Sequence, residues 1–447
     1  MASPDDKLDF LSDLIAKARS AGADAADAMF VEGASISHAR RLGKLEKLER
    51  SEGQDLGLRV LVGQQQAIVS SSDRSAKAVG ELVARAVAMA KVAPPDPYAG
   101  LADPADIART IPDLDLFDPT EPAAETLVER ARAAEDSAMA VKGITNSEGA
   151  EAGWGSSRVY LVASNGFAAS YARSSHSISA SVIAGEGTGM ERDYEYSSVL
   201  HGADLDDPVT IGVRAAERAL KRLAPRKIET CKVPIVYDTR VSAGLVRHVA
   251  SAINGAAIAR GTSFLKDKMN AQICSAGVTI VDDPFRRRGL GSKPVDGEGI
   301  APTRRKIVDG GTLTTWFLDL RSARQLKLRS TGHAARGTTS PPSPSPTNLY
   351  MEPGKISREA LLKSVGRGLY VTEFIGMGAS VITGDYSRGA SGFWIENGEL
   401  TYPVSEVTVA GNLKDMFLNL TAADDLVFKY GTDAPTLRVD GLTVAGR

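Results

Sequence analysis

The sequence is poor in cysteine and has no long hydrophobic run. Its 447 residues include two cysteines, Cys231 and Cys274, which form no C-x-x-C pair and are too few for a disulfide framework. No apolar stretch approaches the roughly 20 residues that a helix needs to cross a bilayer. The first residues include Asp5 and Asp6, where a secretory signal would carry Lys or Arg. We therefore expect a cytoplasmic protein with reduced thiols and no membrane association.

An excess of charge of either sign is also missing. The formal net charge is −2, which gives no electrostatic reason to expect nucleic acid as a partner. Basic clusters occur at residues 221–227, 286–288 and 304–306. None of them is interleaved with the aromatic residues that a platform for single-stranded nucleic acid uses. We interpret these clusters as solvated faces and expect no nucleic acid partner.

The motifs of the common hydrolases are absent as well. The histidines are His38, His176, His201, His248 and His333, and none belongs to an H-E-x-x-H motif. No G-x-S-x-G elbow is present either. His248 falls on a predicted helix without an acidic residue within two turns, and the neighbours His201 and Asp204 fall in a polar loop. Both arrangements are typical of structural residues.

A few acidic residues and one histidine in Gly-rich turns remain as candidates. Asp296, Glu298 and Glu373 could supply carboxylates, and His333 follows a glycine in a turn. Single residues of these types in such turns are usually loop residues. The residues alone therefore predict no catalytic, metal-binding or cofactor-binding constellation.

Hydrophobic periodicity and turn residues predict an α+β fold. The N-terminal half is predicted as one mixed α/β domain with antiparallel strands, made of subdomains 1–95 and 96–225. Its predicted helices span residues 7–21, 74–92, 122–141 and 209–223, and Ser71–Asp73 would cap the second. Its predicted strands span residues 28–36, 56–69, 159–163, 167–171 and 177–183, with a hairpin at Asn165-Gly166. Residues 93–121 are predicted as a loop, and the sequence shows no internal repeat.

The C-terminal half, residues 226–447, is predicted as a β-rich domain with a few helices. The boundary is placed at Ala224-Pro-Arg-Lys227. Helices are predicted at residues 244–258 and 357–366, and Ser340–Pro346 is predicted as a rigid, extended segment. Predicted strands lie at residues 233–237, 277–281, 313–318, 381–383, 393–396 and 400–402, the last two around a turn at Asn397-Gly398.

Longer segments of this half carry a resemblance to a known family. They are Arg260–Leu265, Pro294–Gly299, Ser330–Ala334, Pro346–Tyr350, Thr383–Gly398 and Glu406–Met416. With these segments in this order, the chain resembles the TldD/PmbA metallopeptidase family, and most closely its PmbA (TldE) branch. The resemblance implies two related subunits around an enclosed cavity. The TldD-type subunit would carry zinc through H-E-x-x-x-H and a C-terminal cysteine, and unfolded peptide would bind along exposed strand edges.

The zinc motif does not carry over to this chain. The family window falls on residues 246–251, where Val246 and Ser251 stand at the two histidine positions and Arg247 at the glutamate position. His248 lies inside the window but out of register, and no cysteine follows Asp424. Valine cannot bind zinc, and arginine would repel it. The resemblance therefore implies no metal or catalytic residue here and places the zinc in the partner subunit.

Three functions follow from these observations. The favoured interpretation is a non-catalytic subunit that shapes a peptide cavity for a TldD-type catalytic partner, with a homodimer also possible. The second is an independent hydrolase that uses His333, Asp296 or Glu298. The third is a regulatory binding protein of the gyrase-modulator type.

Overall fold

The N-terminal half is built around one antiparallel sheet. The computed structural model describes residues 4–376 and 378–446. The elements of this half are α1 (Pro4–Ser20), β1 (Ala25–Arg41), β2 (Lys44–Val62), β3 (Gln65–Ser71), α2 (Ala76–Val92), α3 (Ala124–Met139), β4 (Ile144–Ala163), β5 (Ala168–Ala184), β6 (Glu191–Val199) and α4 (Pro208–Lys221). The six strands lie in the order β3-β2-β1-β4-β5-β6.

This half contains two copies of one structural unit. Each unit is a helix, three antiparallel strands and a second helix: α1-β1-β2-β3-α2 and α3-β4-β5-β6-α4. The units meet where β1 pairs antiparallel with β4, from Asp27 opposite Ala163 to Arg40 opposite Ala150. The sequence shows no repeat, so the duplication exists in the structure alone.

All four helices pack on one face of the sheet. Apolar side chains that alternate along β1 define this face: Ala28 and Phe30 face α1 and α2, and Ile36 faces α3 and α4. A side-chain period of two in a strand places these residues on the same side. The helices contribute stripes such as Leu11, Leu14 and Ile15 of α1, which are at most 5% exposed. Burying each such side chain stabilises the fold by about 1.5–3 kcal/mol.

Three details of the N-terminal half differ from the sequence-based prediction. The single strand predicted at residues 56–69 is two strands, because Gly63 (φ 59°) turns the chain between β2 and β3. Helix α2 is capped by Ser75, whose hydroxyl accepts a hydrogen bond from the Ala78 N–H, and not by Ser71–Asp73. Strands β1, β2, β4 and β5 are also much longer than predicted, and β2 includes the charged residues 44–55, for which no strand was predicted.

The C-terminal half contains two further sheets and a short ribbon. Its helices are α5 (Thr239–Ala252), α6 (Gly255–Ala259), α7 (Leu320–Leu326), α8 (Arg358–Lys363) and α9 (Leu413–Leu418). Its strands are β7 (Cys231–Tyr237), β8 (Ile280–Asp282), β9 (Arg305–Asp309), β10 (Thr312–Leu313), β11 (Ala334–Ala335), β12 (Ser343–Pro344), β13 (Leu349–Met351), β14 (Arg367–Ile375), β15 (Asp385–Glu396), β16 (Glu399–Asn412), β17 (Leu420–Ala422), β18 (Thr432–Asp433) and β19 (Leu437–Ala445).

The larger sheet of this half closes on itself. Its order is β16-β15-β14-β7-β19-β17, and β16 also pairs with β19, so five strands form a ring. The second sheet has the order β10-β9-β8-β13-β18, and β11 pairs with β12. Helix α5 packs between the sheets through Leu245, Val246 and Val249, which are at most 2% exposed. The predicted α+β class, with a β-rich C-terminal half, is therefore confirmed.

Several predicted elements of the C-terminal half are wrong. The helix predicted at residues 244–258 is broken after Ile253, and Asn254 caps the separate helix α6. Residues 381–383 form a turn, and the predicted strands 277–281 and 313–318 reduce to β8 and the two-residue β10. The Ser340–Pro346 segment is only partly exposed, because Pro342 and Pro344 are buried.

The two halves are joined by apolar and charged contacts. Met29 and Leu161, on the sheet face opposite the helices, and Phe167 of the turn between β4 and β5 pack against Val295 and Leu320. Residues 93–121 run along this junction without helix or regular strand, as predicted. Among the described residues, no helix is long and apolar enough to span a membrane. The division into units 1–95, 96–225 and 226–447 stays a prediction.

A buried carboxylate also connects the halves. Asp27 accepts hydrogen bonds from Arg59 of β2 and from Arg336, which follows β11. Next to it, the Thr338 hydroxyl donates to Asp55. Gly57 is required here, because a Cβ atom on it would lie 2.2 Å from the Thr338 carbonyl oxygen. The loop after β11 is therefore fixed against β1 and β2.

Candidate functional site

The residues that align with the zinc window lie on α5 and do not fit a zinc ion. Val246, at the first histidine position, is fully buried in the core, whereas Arg247 and Ser251 are exposed. The window thus offers a core methyl group, a surface guanidinium and a hydroxyl, none of which is a usual zinc ligand. Among the described residues, no group of three or more His, Cys, Asp or Glu side chains is placed to hold a metal.

His248 lies in an aromatic cluster beside this window. Its ring meets that of Tyr386 edge-on, with the centroids 5.8 Å apart, and Tyr386 meets Phe374 in the same way at 6.2 Å. Tyr237 contacts Phe374 at 5.4 Å, and the Arg388 guanidinium lies 4.8 Å from the Phe374 centroid. We call these five residues the His248 cluster. Tyr237 and Tyr386 are at most 2% exposed, so they belong to the core, whereas His248, Phe374 and Arg388 are half-buried at its edge.

The electrostatics of the His248 cluster oppose acid–base catalysis. Burial, reinforced by Arg388 and Arg247, lowers the pKa of His248 to about 4. Burial raises the pKa of Tyr386 to about 12. Both groups are therefore neutral at physiological pH, and neither titrates near 7, where general acids and bases work best.

Cys274 does not have the surroundings of a nucleophile. Cys274 is buried, and burial raises the pKa of its thiol to about 12. Cys231 is half-buried on β7, and both thiols are free. Thiolate chemistry needs a lowered pKa and access to substrate, and the Cys274 thiol has neither.

Asp296 and Glu298 are built into a buried turn. Asp296 Oδ1 accepts hydrogen bonds from the N–H groups of Glu298 (2.9 Å) and Ile300 (2.8 Å), and Oδ2 accepts one from Ala334 (3.2 Å). Glu298 Oε2 accepts the N–H of Leu320 at 2.8 Å. Burial raises the pKa of both carboxyls, and the charge of Asp296 raises that of Glu298 further, to about 8. Their hydrogen bonds hold the turn together.

His333 pairs with Asp282, an aspartate that no sequence motif marks. Its Nε2 lies 3.1 Å from Asp282 Oδ2, and its Nδ1 lies 2.8 Å from Thr331 Oγ1. Asp282 also accepts the N–H (2.7 Å) and the hydroxyl (2.6 Å) of Thr347. His333 and Asp282 are 2% and 0% exposed. A substrate cannot reach this couple, so its geometry is that of a structural network.

The structure separates the remaining candidates. Glu373 pairs with Arg222 at 2.6 Å and thereby links β14 to the end of α4. His201 lies 3.3 Å from Asp115, whereas the side chain of Asp204 pairs with Arg288 at 3.0 Å. The sequence neighbours His201 and Asp204 therefore do not act as a side-chain pair.

The basic clusters contain ion-paired members. Lys227 pairs with Glu406 at 2.8 Å, and Lys306 pairs with Asp309 at the same distance. Arg288 pairs with two aspartates, Asp115 and Asp204. Pairing of this kind reduces the positive field that nucleic acid binding needs.

A cleft next to α5 was missed by the sequence-based reasoning. It has a volume of about 500 Å³ and lies between β6, α4 and residues 286–290 and 427–433. On its wall, the Glu195 carboxylate forms ion pairs with Arg218 (2.6 Å) and Lys429 (2.8 Å). The only sequence signal was the spacing of Arg214 and Arg218 on one face of α4. The cleft and the His248 cluster lie on segments that adjoin the same helix.

Solved structures share this architecture from end to end. A proposed modulator of DNA gyrase from Bacteroides thetaiotaomicron VPI-5482 matches with a TM-score of 0.92 and 29% identity over 100% of both chains. TldE from Thermococcus kodakarensis matches in fold with a TM-score of 0.86 and 19% identity, over 98% of this chain and 100% of that chain. The fold is therefore that of the TldE and gyrase-modulator structures.

Sequence comparison identifies the family. Models of PmbA/TldA metallopeptidase domain 1, central domain and C-terminal domain match residues 26–90, 117–223 and 230–446. Metalloprotease PmbA of Escherichia coli O157:H7 is 39% identical over 95% of this chain and 93% of that protein. A PmbA homolog of Haemophilus influenzae is 37% identical over 96% and 94%. The chain belongs to the PmbA/TldD metallopeptidase family, as the resemblance of its C-terminal segments indicated.

Proposed function

We propose that this chain is a non-catalytic, PmbA/TldE-type subunit of a two-subunit metallopeptidase. Its partner is a TldD-type subunit that carries zinc, and this chain shapes the cavity in which unfolded peptides are cleaved. The observation that carries the proposal is the window on α5, where a buried valine replaces the first zinc ligand. A catalytic zinc usually has three protein ligands, and the window supplies none.

The surfaces around α5 support a role in holding peptide. At the edge of the His248 cluster, the rings of His248 and Phe374 are only half-buried, and Arg214 is exposed on the wall of the adjoining cleft, where it can meet a carboxylate. Such surfaces position an extended peptide without performing chemistry on it. Relatives named TldD exist in the same family: the homolog of Buchnera aphidicola subsp. Acyrthosiphon pisum is 25% identical over 58% of both chains.

The two rival interpretations have less support. An independent hydrolase would need Asp296, Glu298 or His333 to contact substrate, but these side chains are at most 8% exposed and hold the fold together. A regulator that binds nucleic acid would need free basic patches, whereas several of the clustered basic side chains are ion-paired.

Reconstitution with the partner tests the proposal. We expect the purified chain alone to bind less than one zinc per chain and to show no chelator-sensitive peptide cleavage. Mixed at micromolar concentration with a TldD-type subunit from the same organism, it should elute as a mixed species that cleaves unfolded peptide. Cleavage by this chain alone, or the absence of any mixed species, would contradict the proposal.

A rebuilt window tests whether the rest of a zinc site survives. The triple change Val246→His, Arg247→Glu and Ser251→His restores the H-E-x-x-x-H letters, yet we expect zinc binding well below one equivalent and no activity. A third ligand is missing, and residues five apart on a regular helix point about 140° apart. Val246→His should also lower the free energy of unfolding by about 2 kcal/mol, because it buries an imidazole in the core.

The exposed Ser251→His single variant is the matched control for this experiment. It should keep the stability of the parent, because its side chain lies in solvent. Near-stoichiometric zinc in the triple variant, measured by atomic absorption, would show that a working site persists around α5.

A further inference from the structure

The first part of β2 is an open sheet edge. Strand β3 pairs with β2 only from Leu56 to Val62, so residues 44–55 have β1 as their one neighbour among the described strands. All side chains from Lys44 to Gln54 are exposed. At about 3.3 Å per residue the edge is roughly 40 Å long. The register with β1 shifts between Leu45 and Lys47, and from Lys47 onward every second residue points its N–H and C=O groups outward. Such an edge is a template for strand addition.

The edge is held rigid by a buried clamp at the hairpin tip. The carboxylate of Glu135 on α3, a residue only 2% exposed, accepts hydrogen bonds from the N–H groups of Leu42 (2.7 Å) and Gly43 (3.1 Å). It also accepts hydrogen bonds from Arg40 Nε (3.0 Å) and from the Ser147 hydroxyl (2.7 Å). A strand that is fixed before binding loses less conformational freedom when a partner pairs with it.

On this edge, the apolar residue Leu48 stands between the oppositely charged residues Lys47 and Glu49. Leu48 is 54% exposed and lies opposite His38 of β1, on the face that bears the helices. Lys47 and Glu49 project on the other face, and their charged groups lie 3.0 Å apart. Nearby, Leu45 is 62% exposed. Apolar side chains of this size on a long open edge are unusual in a monomeric protein.

The charges fit a second copy of the same edge. Directly opposed residues of an antiparallel pair project on the same face of the sheet, whereas neighbours along a strand project on opposite faces. In a symmetric pair of identical strands, one residue must therefore lie opposite its own copy, and the two-fold axis passes between the two. An axis through Leu48 sets Lys47 against Glu49 of the second copy, Glu49 against Lys47, and Leu48 against Leu48. The neighbouring registers, centred on Lys47 or Glu49, set like charges against each other at the axis.

We propose that β2 pairs antiparallel with β2 of a second copy of this chain, with the two-fold axis at Leu48. The pairing joins two six-stranded sheets into one continuous twelve-stranded sheet. At the axis, the two leucines pack on the helix-bearing face, and the four charges alternate in sign on the other face. The interface does not involve α5, so a chain that fails to dimerise in this way would leave the proposed function untouched.

Reciprocal charge changes test the pairing. We expect sedimentation velocity of the full chain, at 1–100 µM and about 50 mM salt, to show a concentration-dependent dimer. Lys47→Glu and Glu49→Lys should each weaken the dimer roughly tenfold, because each creates two like-charge contacts. An equimolar mixture of the two variants should restore dimers, and so should a chain that carries both changes.

Lys77→Glu is the control, since Lys77 is exposed on α2 and its substitution changes the net charge by the same amount as Lys47→Glu. It should leave the dimer unchanged, and all variants should keep the melting temperature of the parent. A parent chain that stays monomeric at 100 µM would overturn the proposal. So would single variants that dimerise like the parent, or a mixture that fails to restore dimers, as expected if a different protein or a peptide occupies the edge.

Discussion

Replacing Asp27 by alanine is expected to lower the free energy of unfolding by about 3–5 kcal/mol. Asp27 is 3% exposed and accepts hydrogen bonds from Arg59 and Arg336. Its removal leaves the buried guanidinium groups of Arg59 and Arg336 without the carboxylate that they share. Because Arg336 belongs to the C-terminal half, the change should also loosen the contact between the two halves. Urea unfolding, followed by tryptophan fluorescence and circular dichroism, measures the loss.

An exposed pair gives the matched control for Asp27→Ala. Asp106 lies 3.8 Å from Arg329, and their side chains are 49% and 92% exposed. Asp106→Ala should change the free energy of unfolding by less than about 0.5 kcal/mol, since exposed ion pairs contribute little. If Asp27→Ala were equally mild, the buried carboxylate would not be what holds the loop after β11 on the sheet.

The chain is expected to lose stability as the pH rises, and Glu298 should cause most of that loss. Burial, with the charge of Asp296 added, raises the pKa of Glu298 to about 8 in the folded state. A raised pKa favours the protonated carboxyl, so the stabilisation is complete below the unfolded pKa of 4.5 and is lost as the pH rises toward 8. We expect the free energy of unfolding to fall by on the order of 3 kcal/mol between pH 5 and pH 8.5.

Glu298→Gln should remove most of this pH dependence. Its amide oxygen can accept the Leu320 N–H, as the protonated carboxyl does. The variant should match the parent at pH 5 and exceed it at pH 8.5 in urea unfolding. Glu399→Gln, at an exposed position of β16, should leave the parent profile unchanged. A parent whose stability is flat across this range would show that Glu298 is already ionised at pH 5 in the folded state, as expected if the nearby Arg59 stabilised the carboxylate.

Local turn chemistry made part of the fold predictable. The hairpins predicted at Asn165-Gly166 and Asn397-Gly398 are present. They were predictable because a tight hairpin turn depends on the types of two adjacent residues, and Asn-Gly is the preferred pair. The outer part of β2 was missed for the opposite reason. Residues 44–55 have no buried face, so they carry no hydrophobic period that could indicate a strand.

The site was less predictable than the fold. The replacement of the first zinc ligand by Val246 was found through family resemblance. A valine in a helix gives no sign by itself that relatives have a zinc-binding histidine at that position. The His333–Asp282 couple joins residues that are distant along the chain, and a lone aspartate gives no local signal. The His248 cluster likewise brings together residues of α5, β14 and β15, which only the closed ring of strands places side by side.

The duplicated N-terminal unit also has a consequence for biosynthesis. The first unit can form its hairpin from residues close in sequence, but its inner edge, β1, pairs with β4, which ends at Ala163. Until the ribosome has released that stretch, Ala28 and Phe30 belong to a strand whose second edge is open. Pairings of such long sequence separation are slow to form. Translation of residues 42–163 is therefore the interval in which this chain is most exposed to aggregation and most dependent on chaperones.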